Sequence, residues 1–293
     1  MVRRKQRLKT VFFFVVLAVL IAVSTYFYDQ IDFTKPLSVQ PLPAGKATIV
    51  AFDVGQGECF LIHTAQQENI LIDAGNPQDG RRIVSRLKGW GIKQLDYLFL
   101  THPHSDHIGG ADYIIEHMEV KNICMPKVAH NSQSYREVLE ASAKKGMKIE
   151  PAKPKTYLLA SSSIQVLAPA KETYEDLNAC SIVLKWVYED FAMLFTGDLP
   201  MEEESELFAF DLSADILKVA HHGSKYSTSE DLLASGGYKY AILSLGKDNS
   251  YHYPHPSLIS RLEKYGLEIW RTDMQGDIMI TTDGKEIHIT SEL

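Results

Sequence analysis

The chain has 293 residues, 45% of them apolar, and a formal net charge of −7. That suits one large domain or two ordinary ones with a sizeable core, and it excludes a basic scaffold that holds nucleic acid through a global positive field. The three cysteines, Cys59, Cys124 and Cys180, are far apart in apolar stretches, which excludes a disulfide framework or a C-x-x-C pair and leaves them as small buried hydrophobes.

Residues 1–9 carry Arg3, Arg4, Lys5, Arg7 and Lys9 and no acid. The stretch from Val11 to Tyr28 is then apolar over about 17–18 residues, near the lower limit for a spanning helix. Residues 10–28 are therefore expected to form one N-terminal transmembrane helix, with the basic tail in the cytoplasm and the rest of the chain outside. The competing expectation is a signal peptide cleaved near Ala22-Val23-Ser24, which would remove residues 1–24 and release a secreted protein. Residues 29–46, with Pro36, Pro41, Pro43 and Gly45, read as a linker. The remainder, 47–293, reads as the folded domain.

Within it, residues 48–52, 59–63 and 70–72 read as strands separated by turns, 82–87 as a helix and 97–100 as a buried strand. Residues 111–117 and 134–145 read as helices; 164–167, 181–187 and 193–195 as strands. Residues 201–210 suit a helix, with Glu202, Glu203 and Glu204 near its favourable N-terminal end. Residues 216–219 and 241–245 read as strands, 258–265 as a helix closed by Gly266, and 278–281 and 287–290 as two final strands. Early hairpin spacing followed by mixed strand and helix indicates a mixed sheet covered by helices, an α+β arrangement.

Residues 101–110 read THPHSDHIGG. His102, His104, Asp106 and His107 crowd the end of a predicted strand, where α/β proteins build sites. Imidazole nitrogens and carboxylate oxygens are ligands for zinc and similar divalent ions. A turn at H-x-H lets two rings converge on one ion, and D-H directly after suits a second ion. Three other predicted strand ends carry ligand-type residues: "LIDAG" with Asp73, "LFTGD" with Asp198, and "ILKVAHHGS" with His221 and His222.

The H-x-H-x-D-H motif, with "LIDAG" upstream and "TGD" downstream, resembles the metallo-β-lactamase fold superfamily. "FDVGQGECFLI" (52–62), "NACSIVL" (178–184), "LKVAHHGS" (217–224) and "SLGKDNSYHYPHP" (244–256) further resemble the extracellular metallo-hydrolase domains of ComEC-type competence proteins and their stand-alone relatives. The resemblance implies an αββα sandwich with two divalent metal ions, Zn or Mn, at one edge. It implies that His102 and His104 bind the first ion, Asp106 and His107 the second, and that Asp198 bridges. One of His221 and His222 would complete the second site. Neighbours on a strand point to opposite sides, and similar phosphorylcholine esterases favour His222, leaving His221 to contact substrate, to hold its neighbour or to act catalytically beside Asp106. Asp73 would orient a ligand histidine, and Asp53 would line the site beside Gly55 and Gly57.

Two departures leave positions open. No histidine lies between His130 and His221 to complete the first ion, and Asn178 or Cys180, followed by Ser181, occupies the corresponding region. In "NSYHYPHP", beginning at Asn249, Tyr253 stands where the family carries histidine, so His252 or His255 would have to substitute as acid or phosphate contact.

Two cations sharing Asp198 and a water would supply hydroxide at neutral pH and stabilise charge on a phosphodiester oxygen. Lys218, Ser224, Lys225 and Lys247 lie in or beside the motifs as a local cationic spot, and a helix opening near Ser227–Ser229 would present N–H groups to an anion. The first expectation is a membrane-anchored extracytoplasmic metal-dependent phosphodiesterase, a nuclease acting on DNA, by analogy with the family. One alternative is a hydrolase of cell-envelope phosphodiesters such as phosphorylcholine or teichoic-acid-like substrates. The other is a non-catalytic metal-binding module of a DNA-uptake assembly.

Overall fold

The computed structural model describes residues 40–291. The anchor or signal expected at residues 10–28 lies outside the described residues. Among the described residues no helix is long and apolar enough to cross a membrane.

Two mixed sheets form the frame. The first runs β15-β14-β1-β2-β3-β4-β5-β6 and the second β13-β12-β11-β10-β9-β8-β7. The first is built from β1 (Ala47–Ala51), β2 (Phe60–His63), β3 (Asn69–Ile72), β4 (Gln94–Phe99), β5 (Glu119–Met125), β6 (Ile149–Pro151), β14 (Ile278–Thr282) and β15 (Ile287–Ser291). The second comprises β7 (Lys155–Leu158), β8 (Ser163–Ala168), β9 (Val183–Tyr188), β10 (Phe191–Phe195), β11 (Ile216–Lys218), β12 (Tyr240–Leu243) and β13 (Glu268–Arg271). Each sheet begins with antiparallel neighbours and turns parallel, at β3–β4 in the first and β10–β11 in the second. Parallel neighbours need long crossovers, and these supply the helices.

Period-two alternation decides which face each strand shows to which layer. Ile49, Ile62, Ile70 and Phe99 of the first sheet meet Ile164, Trp186, Met193, Phe195 and Ile216 of the second in a central core. Val50, Leu61, Leu71 and Leu98 point the other way, onto Ile83 and Leu87 of helix Gly80–Gly89, Ile114 of helix Ala111–His117 and Val138 of helix Gln133–Lys144. Leu194, Leu217 and Ala241 point outward from the second sheet onto Leu232 and Leu233 of helix Glu230–Gly236 and onto Leu258 and Leu262 of helix Pro256–Lys264. The result is a helix–sheet–sheet–helix stack, the four-layer arrangement that the motifs imply.

Several local readings are corrected. Met201–Ala209 forms a run of 3-10 turns instead of an α-helix, and it buries only Glu204 and Leu207. The helix expected to open near Ser227–Ser229 is present. Ser229 is the cap, its side chain accepting from the Leu232 amide, and the helix starts at Glu230. Strand β5 escapes the sequence pattern because Glu119, Lys121 and Asn122 are exposed, so only its second half looks apolar. The edge strands β6 and β7 have few buried positions, as does β13 at its own edge.

Candidate metal centre

The carboxyl ends of the parallel strands all open on one rim, the usual place for a site in such sheets. Asp73 follows β3, Thr101–His107 follow β4, Asp198 follows β10, and His221 and His222 follow β11. The two sheets therefore each bring ligand-type side chains to a common seam.

On the first sheet's side, Asp73 turns back through a left-handed backbone, φ 60°. Its carboxylate accepts from the Thr101 amide at 2.7 Å, the Thr101 hydroxyl at 2.7 Å and His107 Nδ1–H at 2.6 Å. With Nδ1–H given to Asp73, Nε2 is the ring nitrogen that faces the seam. His102 is fully buried, its Nδ1 against the Thr101 hydroxyl at 3.1 Å and the Ser181 hydroxyl at 3.4 Å. His102 Nε2 faces His104 Nδ1 at 3.0 Å.

Gly109 and Gly110 are needed for a different reason than backbone freedom. A Cβ on Gly110 would sit 2.5 Å from the Ala74 carbonyl, and one on Gly109 2.5 Å from Pro77. Their bare backbones let the Asp73 loop press against the histidine loop. Gly57 does the same, since its Cβ would lie 2.6 Å from the Asp106 carbonyl.

On the second sheet's side, the paired histidines are not on a strand. His221 (φ 50°, ψ 48°) and His222 (φ 52°, ψ 18°) form a left-handed turn, at a cost of order 1–3 kcal/mol each. The turn, not strand alternation, separates their rings. His222 is buried and donates from Nδ1 to the Ser244 carbonyl at 2.7 Å, so its Nε2 enters the seam. There it stands 3.3 Å from His107 Nε2, 3.4 Å from Asp106 Oδ2 and 3.5 Å from Asp198 Oδ2. His221 is half-buried, with Nε2 3.8 Å from Asp198 Oδ2.

Asp198 is the meeting point. Its Oδ2 lies 3.9 Å from His102 Nε2 and 3.4 Å from His107 Nε2. His102, His107 and Asp198 form one group that could hold a metal ion, and Asp106, His107 and His222 form another. Two imidazole nitrogens facing each other beside buried carboxylates, with Asp198 Oδ1 lacking a hydrogen-bond partner, make a donor set that fits divalent cations.

The electrostatics of these side chains follow the same geometry. Burial, with His107 beside it, pushes His102 well below the ordinary imidazole value. Burial also opposes charge on His107 and His222, but Asp198 leads the neighbouring carboxylates that raise both. Burial would raise Asp198 and Asp106; the adjacent imidazoles outweigh it and hold both below the usual carboxylate range. Burial lowers His221.

Above the seam is a cleft of about 360 Å³ lined by Gln56, His104, Ser105, Asp106, Asn178, Asp198, His221, His222, Tyr251 and Tyr253. Asn178 reaches it; Cys180 does not, its thiol donating to the Leu177 carbonyl and facing a separate groove, and burial pushes it up to about 12. Ser181 accepts from the Asp198 amide at 3.1 Å and so ties His102 to Asp198.

Other sequence candidates stand elsewhere. Asp53 accepts from the Gly55 amide and its own amide bonds Asp277, so it shapes its loop while Gln56 reaches the cleft. His252 is exposed, and His255 caps helix Pro256–Lys264 by accepting from the Ser257 amide. Tyr253 takes the wall instead, its ring edge-on to His221 at 5.8 Å and stacked on Tyr251 at 5.6 Å. Asn249 closes the loop beneath them through the Gly246 carbonyl and both backbone groups of Tyr253. Ser224 is buried and accepts from the Tyr226 amide.

The expected cationic spot does not assemble. Lys218 is fully buried in an ion pair with Glu58, and Lys225 lies over Tyr226 in a neighbouring groove. Among the described residues lining the cleft there is no lysine or arginine. Thr101, Glu58 and Gln56 are the neighbours that motif reading missed. A threonine at a strand end is unremarkable in sequence, whereas Glu58 carried a signal, an acid set directly before an apolar strand.

The family model of the metallo-beta-lactamase superfamily matches residues 52–247. ComE operon protein 3 of Bacillus subtilis (strain 168) is 32% identical over 262 residues, covering 83% of this chain and 34% of that protein. Competence protein ComA of Neisseria gonorrhoeae is 28% identical over 241 residues, covering 81% and 32%. The chain thus spans about a third of the length of these curated relatives. The metallo-beta-lactamase fold protein YhfI from Bacillus subtilis has a TM-score of 0.53 at 13% identity, covering 81% of this chain and 100% of that one, a likeness of fold. With four layers, a histidine–aspartate seam and a matching model over most of its length, the chain belongs to the metallo-beta-lactamase superfamily, and its relatives include ComEC-like competence proteins.

Proposed function

We propose that the chain is a membrane-anchored, extracytoplasmic, metal-dependent phosphodiesterase that acts on DNA as a nuclease. The observation that supports this best is the seam itself, where Asp198 Oδ2 lies between His102, His107 and His222 at the floor of an open cleft. His102, His104 and Asp198 would hold one divalent cation, zinc or manganese, and Asp106, His107, His222 and Asp198 the other. Such a pair supplies Lewis acidity and an acidified water at neutral pH.

The chain's own residues do the rest. Asp73 and the Ser244 carbonyl fix the tautomers of His107 and His222, keeping both Nε2 atoms directed at the seam. Because the cleft walls lack cationic side chains among the described residues, phosphodiester charge must be met at the floor. Gln56, Asn178, Tyr251 and Tyr253 add neutral hydrogen-bonding groups, and the stacked tyrosines offer an aromatic face for a base. His221, kept neutral by burial and open to the cleft, is placed to exchange a proton with a leaving oxygen.

Relatives named for competence favour DNA over other phosphodiesters. The basic tail and apolar run of residues 1–28 support the anchor, and a reporter fused after Leu293 is expected to read as external. The activity is tested by offering the full chain, loaded with Mn²⁺ or Zn²⁺, single-stranded DNA, duplex DNA and bis-(p-nitrophenyl) phosphate. DNA cleavage is expected. Turnover of the small ester alone would favour a cell-envelope phosphodiester, and no turnover with two metals bound would leave a non-catalytic metal-binding module.

A further inference from the structure

Beneath the seam lies a charged pair that the chemistry above does not use. Lys218 and Glu58 are both fully buried and form an ion pair. The Lys218 ammonium also donates to the Gly197 carbonyl at 2.8 Å and faces Asp198 Oδ1 at 3.8 Å. Glu58 is stitched through its backbone to the Asp106 ligand loop and to the Asp73 loop that orients His107: its amide donates to the Asp106 carbonyl at 3.0 Å and its carbonyl accepts from the Gly75 amide at 2.8 Å. Burying two charges seldom stabilises more than an apolar pair of similar volume. The position is therefore the informative feature. Lys218 ends β11 and pairs in register with Phe195, so its side chain sits under the turn that presents Asp198.

We propose that Glu58 and Lys218 are a positioning pair that sets the orientation of the Asp198 carboxylate, an inference that rests on the two-metal reading. Lys218 attracts Oδ1 and leaves Oδ2 facing His102, His107 and His222. Glu58 cancels the ammonium charge, which would otherwise repel cations a few ångströms away. Glu58 lies within metal-binding reach of Asp198 and His222, but with its carboxylate paired to Lys218 its assigned role is to orient and not to ligate, and neither residue lines the cleft.

The test is Co²⁺ titration of the full chain, read by visible absorption and metal stoichiometry, alongside thermal melting of the metal-free protein. Two Co²⁺ per wild-type chain tests the metal reading independently of this proposal. In the paired variant Lys218→Met with Glu58→Leu, melting is expected to stay within a few degrees of wild type. The Co²⁺ ions should nonetheless bind at least tenfold more weakly, with an altered spectrum, because Asp198 is free to rotate. Wild-type affinity and spectrum in that variant would overturn the proposal. Should it not fold, Glu58→Gln decides. Lys218, released from its partner, should close on Asp198 and weaken Co²⁺ binding at least tenfold, and unchanged binding would again overturn the proposal. Glu58→Asp, which keeps the charge, is expected to restore binding.

Discussion

His107 is gripped from behind by Asp73 and faces His222 and Asp198 in front. Orientation of this kind usually governs metal affinity by 10–100-fold. Asp73→Asn is therefore expected to weaken metal binding by about that factor while leaving the fold intact, as measured by competition with a chelating dye. The histidine pair offers a sharper comparison. Because His222 Nε2 stands against both Asp106 and Asp198, at 3.4 and 3.5 Å, whereas His221 Nε2 nears Asp198 alone at 3.8 Å, His222→Ala should lose one metal and about 100-fold or more of activity. His221→Ala should keep both metals and lose about 10–100-fold of turnover, the scale of a general acid. Equal metal loss in the two variants would contradict the assignment. The choice between these neighbours could not be read from sequence, since it depends on two successive left-handed residues, a conformation that histidine rarely adopts.

At the scale of elements, strand ends were legible because their side chains are chemically conspicuous, and the interior strands because they are apolar. What stayed hidden was polar or short: β5 with its exposed half, the edge strands, and the 3-10 run after Pro200. The loop corrections share one cause. Asp53, Asn249 and His255 are motif residues whose polar groups satisfy backbone amides or carbonyls nearby, a need that local sequence does not distinguish from ligand binding. Glu68 shows such a contact joining the two sheets. From the β2–β3 turn its carboxylate accepts from the Ser161 amide at 2.9 Å and from the Ser162 hydroxyl at 3.1 Å, between β7 and β8.

Burial works to raise Glu68, but these hydrogen bonds, led by Ser161, hold it below its usual value. A depressed folded-state pKa contributes stability that is present above the unfolded value and lost as pH falls through the folded one. Glu68→Gln should thus cost about 2 kcal/mol at neutral pH, with the difference from wild type shrinking below about pH 4 in urea melts. A pH-independent difference would contradict the clamp. Gly110→Ala belongs to the same scale. Its Cβ would meet a carbonyl of the Asp73 loop at 2.5 Å, so a loss of about 1–3 kcal/mol is expected in the same melts.

For the whole molecule, the cleft of this acidic chain is lined by no lysine or arginine among the described residues, so the proposed phosphodiester would have to be met at the floor. The two sheets meet there, and neither carries a complete donor set: His102, Asp106 and His107 come from one, Asp198 and His222 from the other. Sheet packing and metal binding are therefore coupled, and cations should raise the melting temperature with the logarithm of their free concentration once it exceeds Kd. Both this coupling and the proposed chemistry require two cations in this seam. That requirement is tested most directly by elemental analysis of the purified full chain after equilibration with Mn²⁺ or Zn²⁺ and removal of free ion. Two ions per chain are predicted for the wild type and about one for His104→Ala, whose ring faces His102 at the first position. A wild type that retains no ion, or a variant that retains two, would mean that the seam is not a two-metal centre.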